Sequence, residues 1–218
     1  MPLSSEHRYY RQSLLPSLVE VAKYNFDRQQ NKVNIFELAN SYQIIDGEIK
    51  EKYLLSGLLS GMKVHNHDKG KEIFDFYDLK YVVEEVLESM GLNYEFRKPT
   101  IEFPEANQYA QACIFVDGER VGFIGAKTPT YYKKIKNKVF FFEIEVSKIE
   151  DKVISGFDYK QISANPVVER DLTILAKLDV DFSYIESVFE NINYLIEKEC
   201  SYIYEGDKIE AGMKAVTF

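Results

Sequence analysis

The sequence predicts an α+β fold in which antiparallel strands form a sheet with helices beside it. Tight turns at Asp46-Gly47 and Asp117-Gly118 each join two strand-like runs, as in β-hairpins. Two other segments, one after Ser13 and one over Phe76–Met90, have apolar residues at helical spacing. Hydrophobic residues make up 45% of the 218 residues, which is enough to bury a core in a chain of this length.

The first predicted helix starts near Ser13, whose hydroxyl is a candidate N-cap because it can accept a bond from an unpaired backbone N–H. The apolar residues of this helix recur every three or four positions: Leu14, Leu15, Leu18, Val19, Ala22 and Phe26. Strands are predicted at Val33–Leu38 and Ser41–Ile45. Tyr53–Ser60 is apolar throughout and predicts a buried strand in the middle of the sheet.

Lys63–Lys71 is polar and is predicted to be a loop. The helix over Phe76–Met90 is expected to end at Gly91, which suits the position after a helix C-terminus. A short helix is predicted at Thr130–Lys134. Four further strands are predicted: Tyr94–Arg97, Ala110–Val116, Arg120–Gly125 and Val139–Val146.

The pattern changes near Ser155–Pro166, which we interpret as a boundary between domains at 1–156 and 157–218. The second domain has a predicted β-α-β-β order. Its elements are Asp171–Ala176, Phe182–Ile192, Leu195–Tyr204 and Lys214–Phe218. This order is the first part of a ferredoxin-like unit, which needs another helix and strand. We therefore expect the second domain to be incomplete.

Composition excludes several classes of function. The net charge of −8 gives no sequence-wide basic footprint for nucleic acid. No apolar run is long enough to span a membrane, and the N-terminus has no secretory signal, which predicts a cytoplasmic protein. Cys113 and Cys200 are far apart, and His65-Asn66-His67-Asp68 has only His7 as a further histidine. No metal site is predicted.

Six segments carry a family pattern in the same order along nearly the whole chain. They are Pro2-Leu3-Ser4 with Arg11–Leu18, Ile35-Phe36-Glu37, Leu55–Gly61, Phe74–Lys80, Arg120–Gly125 and Pro166–Leu172. Together they resemble the β subunit of bacterial phenylalanyl-tRNA synthetases.

The resemblance implies that residues 1–156 form a catalytic-like module. Such a module has the class II synthetase fold, an antiparallel sheet with flanking helices, but no chemistry of its own. It would be a scaffold for the catalytic α subunit in an α₂β₂ heterotetramer. Residues 157–218 would begin an anticodon-binding domain that contacts tRNA(Phe). The whole enzyme would use ATP and Mg²⁺, with no cofactor in this part.

The residues agree with an inactive module. An adenylate-forming site needs Arg or Lys donors for the ATP phosphates. Arg11 and Glu37 are candidates for the first Arg and acidic residue of the class II pattern, with ordinary surface charges as the alternative. No Gly-rich segment with a second Arg follows Val139, and Glu143 and Glu145 would repel a triphosphate. No catalytic residue is predicted.

Candidate residues for tRNA contact are Lys160, Arg170, Tyr202 and Tyr204. The two tyrosines share one face of a strand, where base stacking and sheet packing are the alternatives. Residues 159–218 contain six Lys or Arg and eleven Asp or Glu, which gives a net charge of −5. This acidic balance opposes the neutralisation of phosphates, so Lys160 and Arg170 are the best candidates for phosphate contact in a poor setting.

Candidates for a subunit interface are Arg11, Phe140, Phe141 and Phe142. Three consecutive phenylalanines cannot all point to one side of a strand, so at least one is expected in an interface or under a second layer. Two other functions stay open at this point. One is a free-standing ATP-dependent ligase with a degenerate site, and the other is an α+β interaction domain unrelated to synthetases.

Overall fold

A computed structural model describes residues 10–66, 70–99, 103, 106–128, 135–154, 166–189 and 192–218. The chain divides into two compact units, Met1–Phe157 and Asp158–Phe218. Among the described residues, no helix is long and apolar enough to cross a membrane.

The first unit is built on a seven-stranded sheet whose described strand pairs are all antiparallel. Its strands are β1 (Lys32–Ile45), β2 (Glu48–Asn66), β3 (Gly70–Ile73), β4 (Tyr94–Arg97), β5 (Ala106–Val116), β6 (Glu119–Lys127) and β7 (Val139–Glu145). The order is β1-β2-β7-β6-β5-β4, and β3 pairs with the far end of β2. The prediction that Tyr53–Ser60 lies inside a sheet is confirmed.

Both predicted hairpins are confirmed. Asp46 and Gly47 join β1 to β2 with φ of 54° and 81°, and Asp117 and Gly118 join β5 to β6 with φ of 50° and 79°. Positive φ at both central residues gives a turn whose twist matches that of the flanking strands. The two turns therefore set the register of the long hairpins.

Two helices, α1 (Leu15–Phe26) and α2 (Phe76–Ser89), cover opposite faces of this sheet. The α1 side buries Val33, Leu58 and Phe141. The residues buried on the α2 side include Leu79, Val83, Leu87, Ile114, Ile124, Phe140, Phe142 and Ile144. β7 is thus covered on both faces, and its apolar side chains are buried on the α1 side and on the α2 side.

Because both faces of β7 are covered, all three consecutive phenylalanines are buried. Phe140, Phe141 and Phe142 are 6%, 0% and 5% exposed. Alternate side chains of a strand point to opposite faces, and each face here has its own helix. Of the two expectations, a second layer is therefore the one observed. The three rings are thus buried by the layers of the chain itself, and their role at a subunit interface stays a prediction.

α2 is fixed at its start by a reciprocal pair of hydrogen bonds. The Asp75 carboxylate accepts from the Asp78 N–H, and the Asp78 carboxylate accepts from the Asp75 N–H, both at 2.9 Å. Lys63 on β2 donates to Asp78 as well. Burial alone would raise the pKa of Asp78, but the bonds from Lys63 and Asp75 outweigh it and lower the pKa. Gly91, with φ of 69°, follows the helix as predicted.

Some predicted boundaries are wrong. The two strands expected at Val33–Leu38 and Ser41–Ile45 are one strand, because Ala39 and Asn40 pair with Leu54 and Tyr53 without interruption. The loop expected at Lys63–Lys71 is largely strand, since β2 continues to Asn66 and pairs with β3. Polar side chains do not prevent this, because the hairpin satisfies the backbone. The helix expected at Thr130–Lys134 lies outside the described residues.

The second unit contains β8 (Thr173–Lys177), α3 (Phe182–Ser187), β9 (Tyr202–Tyr204) and β10 (Met213–Thr217). Its antiparallel sheet has the order β8-β10-β9. The β-α-β-β order is confirmed. The strand expected over Leu195–Tyr204 is wrong before Tyr202, since β9 has a partner only where it meets Ala215–Thr217. The helix expected to reach Ile192 ends at Ser187.

Gly57 in β2 provides a test of the packing around β7. A Cβ built at Gly57 would lie 2.3 Å from Cε1 of Phe142. We expect Gly57→Ala to lower the free energy of unfolding by about 1–3 kcal/mol, because the ring has to leave its position. Chemical denaturation measures this change.

Phe142→Leu is the control, since the smaller side chain removes the clash. Gly57→Ala should cost less in the Phe142→Leu background than in the original chain. Equal costs in both backgrounds would contradict the contact.

Candidate functional site

An open cleft of about 550 Å³ lies on the α1 side of the large sheet, beside the start of α1. Side chains of β2, β6 and β7 form much of its lining, because Leu54 pairs with Glu145 and Phe123 pairs with Glu143. Its polar lining residues are Gln12, Ser13, Gln43, Lys52, Arg120, Glu143, Glu145 and Lys148. This is the described cavity in which charged groups converge, so we take it as the candidate site.

Glu143 is the polar centre of the cleft. One oxygen, Oε2, accepts from Ser13 Oγ at 2.9 Å, from the Leu14 N–H at 2.9 Å and from Ser56 Oγ at 2.8 Å. A carboxylate at the start of a helix is favoured, because the unpaired N–H groups there carry partial positive charge. Glu143 therefore joins β7 to both β2 and α1, and its negative charge is stabilised by donors of the chain itself.

The predicted N-cap at Ser13 is displaced by one residue. Leu14 is the N-cap by backbone position, and it has no side-chain bond to the helix. Ser13 Oγ nevertheless accepts from the Leu15 N–H at 3.2 Å. The hydroxyl thus satisfies a backbone donor as predicted, and it also links that donor to the Glu143 carboxylate.

Two of the cations in the cleft form ion pairs with carboxylates, and the third lies near an aromatic ring. Lys52 Nζ lies 3.1 Å from Glu145 Oε2. Lys148 Nζ lies 3.1 Å from Glu119 Oε1, and its hydrogen bond is the first cause of the lowered pKa of Glu119. The Arg120 guanidinium lies 5.5 Å from the centroid of the Phe103 ring.

These residues do not fit ATP with Mg²⁺. A triphosphate needs cations that are free to neutralise it, whereas Lys52 is already neutralised by Glu145. Glu143 and Glu145 add negative charge on the same face of β7. Within the described parts of the chain, no group of three or more His, Cys, Asp or Glu converges on a metal position.

Arg11 and Glu37 contact each other, with 2.6 Å between Nη1 and Oε1. Arg11 Nε also donates to the Asn40 carbonyl at 3.4 Å, and the Arg11 carbonyl accepts from the Tyr42 N–H. Neither side chain lines the cleft. The geometry is that of a half-exposed ion pair that holds the N-terminal segment against β1.

The other candidates lie in the second unit. Tyr202 is 60% exposed, Tyr204 is half-buried, and their ring centroids are 6.3 Å apart on one face of β9. Arg170 is exposed and donates to the Glu169 carbonyl at 2.8 Å. Lys160 lies outside the described residues, as do His7, His67 and Asp68. His65 and Asn66 belong to β2.

The two tyrosines are on the open face of the small sheet. Tyr204 pairs with Ala215, and Ala215 pairs with Leu175, which is 59% exposed. The neighbouring residue Val216 points to the other face and is fully buried. Phe218, on the same side as Val216, stacks on Phe182 of α3, with 5.8 Å between the ring centroids.

The sequence reasoning missed the convergence on Glu143. Two signals could have pointed to it, because Glu143 interrupts an apolar strand and Ser56 interrupts another. A polar residue inside a buried strand needs a hydrogen-bond partner, and these two are complementary. Nothing in the sequence alone shows that the strands are neighbours.

Glu143→Ala is expected to lower the free energy of unfolding by about 2–4 kcal/mol, because two hydroxyls and a backbone N–H lose their acceptor. Glu143→Gln keeps an oxygen acceptor and should cost about half as much. Thermal unfolding of the two variants checks the order. Glu145→Ala, which removes a surface ion pair on the same face, is the control and should cost less than about 1 kcal/mol. An equal loss for Glu143→Ala and Glu145→Ala would contradict this role.

Comparison with known proteins gives a consistent result. The family model of the phenylalanyl tRNA synthetase beta chain CLM domain matches residues 1–146. Phenylalanine–tRNA ligase beta subunits of Oceanobacillus iheyensis and Listeria innocua are 27% and 29% identical over the whole chain. That of Staphylococcus epidermidis is 31% identical over 99% of the chain.

The chain spans 28% of the length of each of these relatives. Among solved structures, a pyrrolysyl tRNA synthetase of Desulfitobacterium hafniense aligns with a TM-score of 0.46 and 14% identity. This alignment covers 66% of the chain and 50% of that protein. Because the family model matches well over half of the residues, the chain belongs to the family of the phenylalanyl-tRNA synthetase beta chain CLM domain.

Proposed function

We propose that this chain is a non-catalytic part of phenylalanine–tRNA ligase that acts in the cytoplasm. Residues 1–156 are a class II synthetase-like scaffold against which the catalytic α subunit packs in an α₂β₂ heterotetramer. Residues 157–218 begin a ferredoxin-like domain that contacts tRNA(Phe). Membership of the family excludes the alternative of an interaction domain unrelated to synthetases.

The proposed non-catalytic role is supported above all by the hydrogen bonds that Glu143 accepts within the chain. Its carboxylate lies on the strand where the class II pattern would lead to a second Arg, and it is bound by three donors of the chain itself. β7 leads into short 3₁₀ turns at Val146–Lys148 and Glu150–Lys152. An active centre would have cations at this position to stabilise the developing charge. The geometry therefore supports a scaffold.

Two observations support the division into domains and the second fold. The compact units divide at Phe157, one residue from the proposed boundary. The sheet order β8-β10-β9 is the one that the first three strands of a ferredoxin-like unit adopt. The outer edge of β8 is where the fourth strand of that unit would pair.

The tRNA role is supported by the open face of the small sheet. Tyr202 and Tyr204 offer aromatic rings of the kind on which unpaired bases stack, and Arg170 is an exposed cation. The half-buried ring of Tyr204 is also held by the bond from its hydroxyl to Asp207, so Tyr202 is the better candidate.

The catalytic question is tested by ATP–pyrophosphate exchange with phenylalanine. The purified chain should show no exchange above background, because Lys52 and Lys148 of its cleft are paired with carboxylates and cannot neutralise the phosphates. An α subunit co-expressed with the chain should co-purify with it, and the α subunit assembled with a full-length β subunit is the positive control for exchange. Exchange by the chain alone would support the competing ligase hypothesis and contradict ours.

The tRNA contact is tested by Tyr202→Ala. We expect about a tenfold loss of affinity for tRNA(Phe), since one stacked base contributes about 1–3 kcal/mol. Fluorescence anisotropy at fixed salt measures it. Tyr184→Ala on α3 is the matched control, because Tyr184 is 71% exposed but lies on the helix. Equal affinities of the two variants would contradict a stacking role for Tyr202.

A further inference from the structure

One end of the cleft combines a cation with aromatic rings, and we call it the Arg120 end. It is formed by Phe103, Arg120 and Phe123, all of which line the cleft. Arg120 is exposed, and its guanidinium forms no ion pair with a carboxylate of the described residues. The other two cations of the lining, Lys52 and Lys148, each have such a pair. Arg120 is therefore the cation of the cleft that is available to a ligand.

A β-bulge places Arg120 on the cleft side of the sheet. Gly122 of β6 lies opposite Ile114 of β5, but the next residue of β5, Phe115, lies opposite Arg120. Val121 is thus one residue too many, and the alternation of faces along β6 shifts by one position. In an unbroken register residue 120 would share the α2 side with Ile114, whereas here Val121 is buried on that side. The bulge therefore turns a charged side chain away from the core and into the cleft.

The wall beside Arg120 is aromatic and flat. Phe103 stacks on Phe123, with 4.0 Å between the ring centroids and an angle of 11° between the ring planes. The Arg120 guanidinium lies 5.5 Å from the centroid of Phe103, which is only half-buried. Aromatic rings pack well against other flat rings, since both the shape and the charge distribution of the rings match. The Arg120 end therefore suits a ligand that carries an anionic group next to an aromatic ring.

The other charges of the cleft limit the charge of such a ligand. Glu145 is paired with Lys52, and Glu143 is bound by three donors of the chain. A ligand ammonium would thus meet no unpaired carboxylate of the described lining, and a divalent phosphate would have only Arg120 as its counter-charge. A guanidinium binds one carboxylate through two parallel hydrogen bonds. The charges therefore favour a single carboxylate.

We propose that the Arg120 end binds a small aromatic monocarboxylate that has no amino group. Its carboxylate pairs with Arg120, and its ring packs on Phe103. The cleft of about 550 Å³ has room for such a molecule. Gln12 and Gln43 also line the cleft, and their side-chain amides bond to no other described residue, so they are available to polar substituents of the ligand.

A titration of the 218-residue chain with hydrocinnamate, the simplest phenylpropionate, tests the proposal. Amide NMR spectra should show saturable shifts with a dissociation constant of about 0.1–3 mM, which is the affinity that a ligand of this size can reach. The largest shifts should fall on residues of β6 and β7 that line the cleft. Spectra without a saturable shift up to about 20 mM hydrocinnamate would overturn the proposal.

Four analogues define the ligand class. Hydrocinnamamide removes the negative charge, cyclohexylpropionate removes the flat ring, phenylalanine adds an ammonium group, and phenyl phosphate carries a second negative charge. Each should bind at least about threefold more weakly than hydrocinnamate, because each lacks a partner that the Arg120 end provides or adds a charge that it does not neutralise. Equal affinity for any of the four would contradict the proposed class.

Arg120→Gln should raise the dissociation constant of hydrocinnamate at least about tenfold, since the charged hydrogen bonds are lost. Arg120→Lys keeps the charge but not the two parallel bonds, so its effect should be intermediate. Lys152→Gln is the matched control, because Lys152 pairs with Glu119 close by but does not line the cleft. It should change the constant by less than about twofold. Equal losses for Arg120→Gln and Lys152→Gln would indicate a general effect of charge and would contradict a site at Arg120.

These tests use the chain alone and do not depend on the proposed function. A chain that binds hydrocinnamate but no α subunit would contradict only the scaffold role. A chain that binds an α subunit but no hydrocinnamate would contradict only the carboxylate site.

Discussion

The rest of the first unit depends on the burial of β7 on both of its faces. A strand with helices on both sides has no solvent face, so that each of its side chains needs a partner of matching size or polarity in a neighbouring strand. Phe142 has this through Gly57, which leaves room for the ring, and Phe141 lies over Gly125 on the other face. Glu143 has it through Ser56, which supplies a donor. Small or hydroxyl residues on β2 and β6 are thus explained by the residues of β7.

The cleft follows from the same arrangement. α1 covers only part of its face of the sheet, because the helix begins beside Glu143. Beyond that point the face is open, but its carboxylates interact with other groups of the chain. Glu145 forms an ion pair with Lys52, and Glu143 accepts a hydrogen bond from the start of α1. A surface of this kind keeps the shape of a binding site while its polar groups stabilise the fold.

Much of this fold can be predicted from the sequence because its strongest signals are local. The turns at Asp46-Gly47 and Asp117-Gly118, the helix over Phe76–Ser89 and the apolar run in β2 are each determined by a few neighbouring residues. The failures concern contacts between distant segments. Residues 63–66, three of which are polar, form a strand because β3 returns to pair with them. Residues 195–200 are not a strand, because β9 pairs with β10 only over Tyr202–Tyr204. The position of Glu143 opposite Ser13 and Ser56 could not be predicted for the same reason.

The bond between Ser13 and Glu143 joins residues that are 130 positions apart. The order of synthesis therefore matters for this protein. The β1–β2 hairpin can form once Asn66 has left the ribosome, but Leu54–Ser60 of β2 have no partner on their other edge until Glu145 has been made. At about 5–20 residues per second, β2 waits roughly 4–16 s for β7. During that interval the nascent chain carries an uncovered apolar strand, and it is then that a chaperone would have most to protect.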